Sequence, residues 1–153
     1  MIFIQYILPK QAITALAGKF ANLEAGKLTT AVIRWFINRY QVNMAEAAEP
    51  NPSNYKSFNA FFTRPLKADA RVFAKSKFIC PVDGAISQFG HIQNNQIYQA
   101  KGHTYSTEAL LAGDKTLAEK FLNGHFACLY LSPKDYHRIH MPCDGELRRM
   151  MYV

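Results

Sequence analysis

The chain has 153 residues, 49% hydrophobic and 19% charged, which suits a packed domain and excludes a disordered tail. Eighteen Lys and Arg against eleven Asp and Glu leave a formal charge of +7, which favours an anionic partner: a lipid surface, a nucleic acid or a phosphorylated substrate. Cysteines at 80, 128 and 143 are widely spaced without a C-x-x-C, which argues against a disulfide scaffold and a zinc ribbon, and no apolar run approaches the roughly 18 residues that span a bilayer.

The N-terminal stretch MIFIQYILPK has no basic region ahead of its apolar residues, so it does not read as a secretory signal. Within the first forty residues, Lys10, Lys19, Lys27, Arg34 and Arg39 face a single Glu24. Ile13, Leu16, Ala17 and Phe20 fall at i, i+3, i+4 and i+7, the spacing of one helical face. After a break near Gly26, Leu28, Val32, Trp35 and Phe36 continue the pattern, which predicts two amphipathic basic helices. Two roles fit them: a hairpin packed on its own domain, or a surface anchor with its apolar face among acyl chains and its lysines on headgroups.

Residues 43–57 are polar with two prolines and predict a linker or a loop after a short helix. Phe58, Phe61 and Phe62 share a helical face that Pro65 ends, an aromatic plug for the core, with Arg64 beside it as a partner for phosphate or carboxylate. From Arg71 the period shifts towards two. Strands are predicted over 78–81, 85–92 and 96–100, with Asn94-Asn95 turning a hairpin between the last two. Ser106 opens a helix through Leu111 that Gly113 stops, a second helix covers 114–123, and 126–131 reads as a buried strand. Residues 132–135 form a turn, and 146–153 make a last apolar strand whose pattern is unfinished at Val153, which predicts that the chain is incomplete at its C-terminus. The expected class is α+β: helices over 1–42, a linker and aromatic segment over 43–70, then a mostly antiparallel sheet with a helical insertion over 71–153.

Three groups of residues carry candidate chemistry. Asp83-Gly84 sets a carboxylate at a tight turn, which is also the commonest plain turn. His137 and His140 flank Arg138 just after the buried strand; in a helical turn they share a face, and in an extended chain they point apart. No acidic or Cys ligand stands at a metal spacing from them, so acid–base use is preferred and no metal is expected. Lys101 and His103 flank Gly102 ahead of a helix start, a place that suits an anion or merely a solvated loop.

The blocks YILPK (6–10), FNAFFTRPLK (58–67), PVDGAISQFG (81–90), QAKGHTYSTEALLAG (99–113) and YLSPKDYHRIHMPCDGELRRMMYV (130–153) resemble, in order, the bacterial phosphatidylserine decarboxylase family. The resemblance implies a proenzyme that cuts itself at a Gly-Ser bond, the serine becoming a pyruvoyl cofactor. It implies that Asp83 and His140 serve that serine as a triad, and that His137 acts in decarboxylation. Lys101, His103 and Arg64, basic residues placed to meet an anion, are the candidates for substrate binding. Phosphatidylserine on an anionic membrane is the implied substrate, the cytoplasmic side of the cell membrane the implied place, and a pyruvoyl-bearing α subunit the implied partner. The family's helices contact the bilayer, which favours the anchor for 1–42. One departure stands out: no glycine in this chain is followed by serine. The chain is therefore expected to resemble a portion of the larger subunit, inactive alone. A catalytically silent lipid-binding module is the alternative, and a nucleic-acid binder ranks last because neither an aromatic RNP strand nor zinc-finger spacing is present.

Overall fold

The computed structural model describes residues 9–94, 96–99 and 103–151. The chain forms two compact units: Met1–Ala74 with Pro133–Arg138, and Lys75–Ser132 with Ile139–Val153. Its class is α+β, helices first and then antiparallel strands with helical insertions.

In the first unit, α1 (Lys10–Ala21) and α2 (Lys27–Tyr40) meet at a turn through Gly26, whose φ of 55° is left-handed and suits a residue without Cβ. Buried Thr29 ties this turn, its Oγ1 accepting from the Ala25 N–H at 3.0 Å and donating to the Leu23 carbonyl at 3.2 Å. The core face of α2 is rotated from the expected one. Thr29 and Ile33 are buried and Phe36, Ile37 and Tyr40 pack inward, while Leu28 and Trp35 stay exposed. The reason is α3 (Phe58–Phe62), whose rings occupy that side: Phe61 is fully buried, and Phe36 meets Phe58 edge-on at 5.0 Å. Ser57 caps α3 by accepting from the Ala60 N–H. The loop between contributes Val42, Ala47 and Tyr55 to the buried set, with the Tyr55 hydroxyl donating to the Glu49 carbonyl at 2.6 Å.

The second unit holds β1 (Ala85–His91), β2 (Gln96–Gln99), β3 (His103–Ser106), α4 (Thr107–Leu110), α5 (Lys115–Glu119) and β4 (His125–Tyr130). β1 pairs with β4 and β2 with β3, both antiparallel, giving two two-stranded sheets. The expected β1–β2 hairpin is corrected by this pairing. The chain does reverse at Gln93–Gln96, with the Gln96 N–H on the Gln93 carbonyl at 2.9 Å, but β2 continues against β3 instead; Asn95 lies outside the described residues. β3 falls where a loop was expected, because Thr104 and Tyr105 alternate into a ladder with Ile97 and Tyr98. Gly113 (φ 82°) ends α4 as expected, while α5 is shorter than 114–123: Asp114 caps it, and Asn123 turns left-handed ahead of Gly124.

Three strand expectations need correcting. β4 is present yet not deeply buried, since one partner strand gives it no second layer. Residues 146–151 form no strand; Leu147 and Met150 are exposed, and no strand among the described residues pairs with them. Residues 78–81 form no regular strand either, although Ile79 N–H donates to the Pro142 carbonyl and His140 N–H to the Pro81 carbonyl, both at 2.8 Å. This is an antiparallel register in which each reciprocal pair contains a proline. The return bonds, from residues 142 and 81, have no N–H to make them.

Candidate acid–base site

Each candidate residue is placed by a backbone feature. The Asp83-Gly84 turn exists because β1 starts hard against the end of β4: a Cβ built on Gly84 would stand 2.7 Å from the Tyr130 carbonyl oxygen. Only glycine allows that approach without moving backbone. Gly84→Ala is expected to lower stability by about 1–3 kcal/mol, as overpacking against a rigid neighbour does. An unchanged denaturation midpoint would show that the approach is not tight.

Asp83 is half-buried and lies two residues after Pro81, whose carbonyl takes the His140 N–H. The pairing of 79–81 with 140–142 therefore brings the carboxylate turn and the His140 backbone together within one unit. His140 is exposed. Residues 136–141 form neither a helical turn nor a regular strand, so the two histidines do not share a helical face.

His137 belongs to the other unit. It is half-buried, its ring centroid 4.0 Å from that of Phe62 at an interplanar angle of 39°. Its Nδ1 lies 2.8 Å from the Asp135 carbonyl oxygen. A carbonyl only accepts, so in the neutral ring Nδ1 carries the proton and Nε2 keeps the lone pair.

Arg64 is 3% exposed. Its Nη2 donates to the Lys134 carbonyl at 3.3 Å, and its guanidinium lies 5.2 Å from the Phe61 ring centroid. Its Nε and Nη1 are buried without a hydrogen-bond partner. Burial pushes its pKa below the ordinary value, opposed by nearby Tyr55 and Glu46, and also raises that of Tyr55. A side chain so enclosed is placed to hold the 133–138 loop.

Lys101 lies outside the described residues, and for His103 only the backbone, in β3, is described. The helix start that follows is the four-residue α4, and its Ala109 N–H is already taken by the Ser106 hydroxyl at 3.0 Å. The structure thus groups Asp83 with His140, and Arg64 with His137. Sequence reasoning missed Phe62 and Thr63 as supports of the histidine loop, because an aromatic triplet at helical spacing reads only as core.

A carboxylate turn beside a histidine is an arrangement able to move a proton, and so, separately in the other unit, is an imidazole whose Nδ1 is held by a carbonyl. The chain belongs to the phosphatidylserine decarboxylase family. The family model described as phosphatidylserine decarboxylase matches residues 58–153, and one described as PSD matches residues 1–41. Similar relatives are the phosphatidylserine decarboxylase proenzymes of Dechloromonas aromatica (strain RCB), 68% identical over 149 residues, and Azoarcus sp. (strain BH72), 65% identical over 149 residues. These alignments cover 97% of this chain but 53% and 52% of the relatives, so the chain spans about half the length of the curated relatives it matches.

Proposed function

We propose that this chain is the membrane-seated, base-bearing portion of a pyruvoyl-dependent carboxy-lyase that converts phosphatidylserine to phosphatidylethanolamine and CO₂. The observation that carries this reading is the Pro81–His140 backbone pairing beside Asp83, inside the span the family model matches.

In maturation, His140 takes the proton of a serine hydroxyl as that oxygen attacks the preceding carbonyl. The peptide C–N bond breaks to leave an ester, the departing nitrogen takes the proton back, and β-elimination then opens the ester. Asp83 orients the imidazole and steadies its charge. The serine comes from polypeptide outside this chain, since no glycine here precedes a serine. The pyruvoyl group it yields supplies an electron sink for the bond that breaks as CO₂ leaves. This chain's residues fit a site of that kind in one respect: the His137 Nε2 is free of the Asp135 contact and suited to deliver the proton that replaces the carboxylate. Arg64 steadies the loop bearing His137, and Lys101 and His103 are assigned to headgroup binding.

The pyruvoyl-bearing subunit is the proposed partner. Support comes from large apolar side chains left exposed in the second unit, such as Phe89 and Met150. Peripheral attachment at the cytoplasmic face is proposed for the helices; among the described residues no helix is long and apolar enough to cross a membrane. The test uses the complete protein with phosphatidylserine labelled in the serine carboxyl. Release of labelled CO₂ that a carbonyl reagent such as phenylhydrazine abolishes is the expected result. Vesicle binding with no CO₂ from the complete protein favours the silent lipid-binding module.

A further inference from the structure

We infer that Phe62 is a positioning residue for His137, fixing its ring plane and its tautomer so that Nε2 is the atom presented for proton transfer. The inference rests on the reading of His137 as the proton-handling residue of decarboxylation.

Three consecutive residues at the end of α3 each hold one residue of the 133–138 loop. Phe62 lies against the His137 ring at 4.0 Å between centroids. The Thr63 carbonyl accepts from Arg138 Nε at 2.7 Å, and Arg64 Nη2 donates to the Lys134 carbonyl at 3.3 Å. Thr63 thus engages the Arg138 side chain and Arg64 the Lys134 backbone, one on each side of His137. Two contacts bear on the ring itself: the Asp135 carbonyl at Nδ1 and the Phe62 ring.

The hydrogen bond alone does not define the ring. The ring turns only about its Cα–Cβ and Cβ–Cγ bonds, and a half-turn about the second exchanges the edge it offers to the Asp135 carbonyl. On the way the ring has to swing through space that Phe62 occupies, its centroid 4.0 Å away, so Phe62 opposes that turn and keeps Nδ1 at the carbonyl. Phe62 is itself held, with Phe58 stacked on it at 5.9 Å and an interplanar angle of 22°, and Phe36 edge-on at 6.1 Å. The aromatic cluster is thus a rigid backing for one imidazole.

The test compares Phe62→Leu, Phe62→Met and Phe62→Tyr in the complete protein, the Met variant supplying a longer, more adaptable side chain in case Leu unsettles the core. Two readouts are followed: the pH profile of kcat, and the ¹⁵N shifts of the His137 ring, which report its tautomer. Leu and Met are expected to lower kcat about tenfold with KM changed less than about twofold, the scale of a misdirected group. They should also turn a single Nδ1–H tautomer into a mixture and shift the kcat profile, and Tyr should restore the parent values. A parent-like tautomer and pH profile in a folded Leu or Met variant overturns the inference. If His137→Ala itself keeps full kcat, the assigned role of His137 fails instead, and the tautomer readout then judges the positioning alone.

Discussion

Replacing His140 by Ala in the complete protein is expected to leave one uncut polypeptide on a denaturing gel, where the parent gives two. Without the imidazole the proposed base for the serine proton is lost, and a neutral serine is a poor nucleophile. Asp83→Asn is expected to slow the cut about 10³-fold or more, since an amide holds the wrong tautomer of the base. His137→Ala should separate the two reactions: the cut proceeds, while decarboxylation falls by about 10²–10⁴, the usual share of a general acid–base group. Normal processing in His140→Ala, or equal loss of both reactions in His137→Ala, would reverse the assigned roles. The structure gives a reason to expect separation. The two histidines are three residues apart in sequence but belong to different units, His140 paired to Pro81 and His137 seated on Phe62.

The second large effect concerns membrane attachment. Leu16 and Phe20 on α1 are 69% and 60% exposed, and Trp35 on α2 is 60% exposed, so the helical hairpin leaves much of its apolar surface uncovered. The first forty residues also carry five basic residues against one acidic. Inserting a Leu or Phe side chain into an apolar phase is worth roughly 1.5–3 kcal/mol. The pair Leu16→Ser with Phe20→Ser should therefore weaken binding to anionic vesicles by about a hundredfold or more. Both positions are exposed, so unchanged circular dichroism is expected. Salt should weaken the parent's binding further, each basic residue near an anionic surface contributing about 1 kcal/mol at low ionic strength. Co-sedimentation with phosphatidylglycerol vesicles measures both, and a variant that sediments like the parent rules out these helices as the anchor.

Much of the architecture was readable from pattern. The 3.6-residue spacing over 13–20 gave α1, and Gly26 and Gly113 stand at the breaks they were expected to make, whereas α5 ends at Glu119, short of Gly124. What failed was anything set by a distant partner. The face α2 buries depends on where the rings of 58–62 settle, and no local period records that. Strand pairing failed likewise: the Gln93–Gln96 turn is real, yet β1 finds its partner at 125–130. For the site, Asp83, His137 and His140 stood out in the sequence and the resemblance paired Asp83 with His140, whereas the contacts that seat them were not legible. These are two hydrogen bonds between segments some sixty residues apart and one ring tilted against another.

The two prolines opposite Ile79 and His140 have a kinetic consequence. A ladder with half its rungs missing opens at lower cost than a full one, because local unfolding there breaks two bonds where a regular pairing breaks four. The amides of Ile79 and His140 should then exchange with deuterium well ahead of those along β1 and β4. Such a segment yields more readily than a fully bonded strand. On the proposed role of His140 as the base of self-cleavage, that ease of opening suits a place where a peptide is admitted, cut and rearranged.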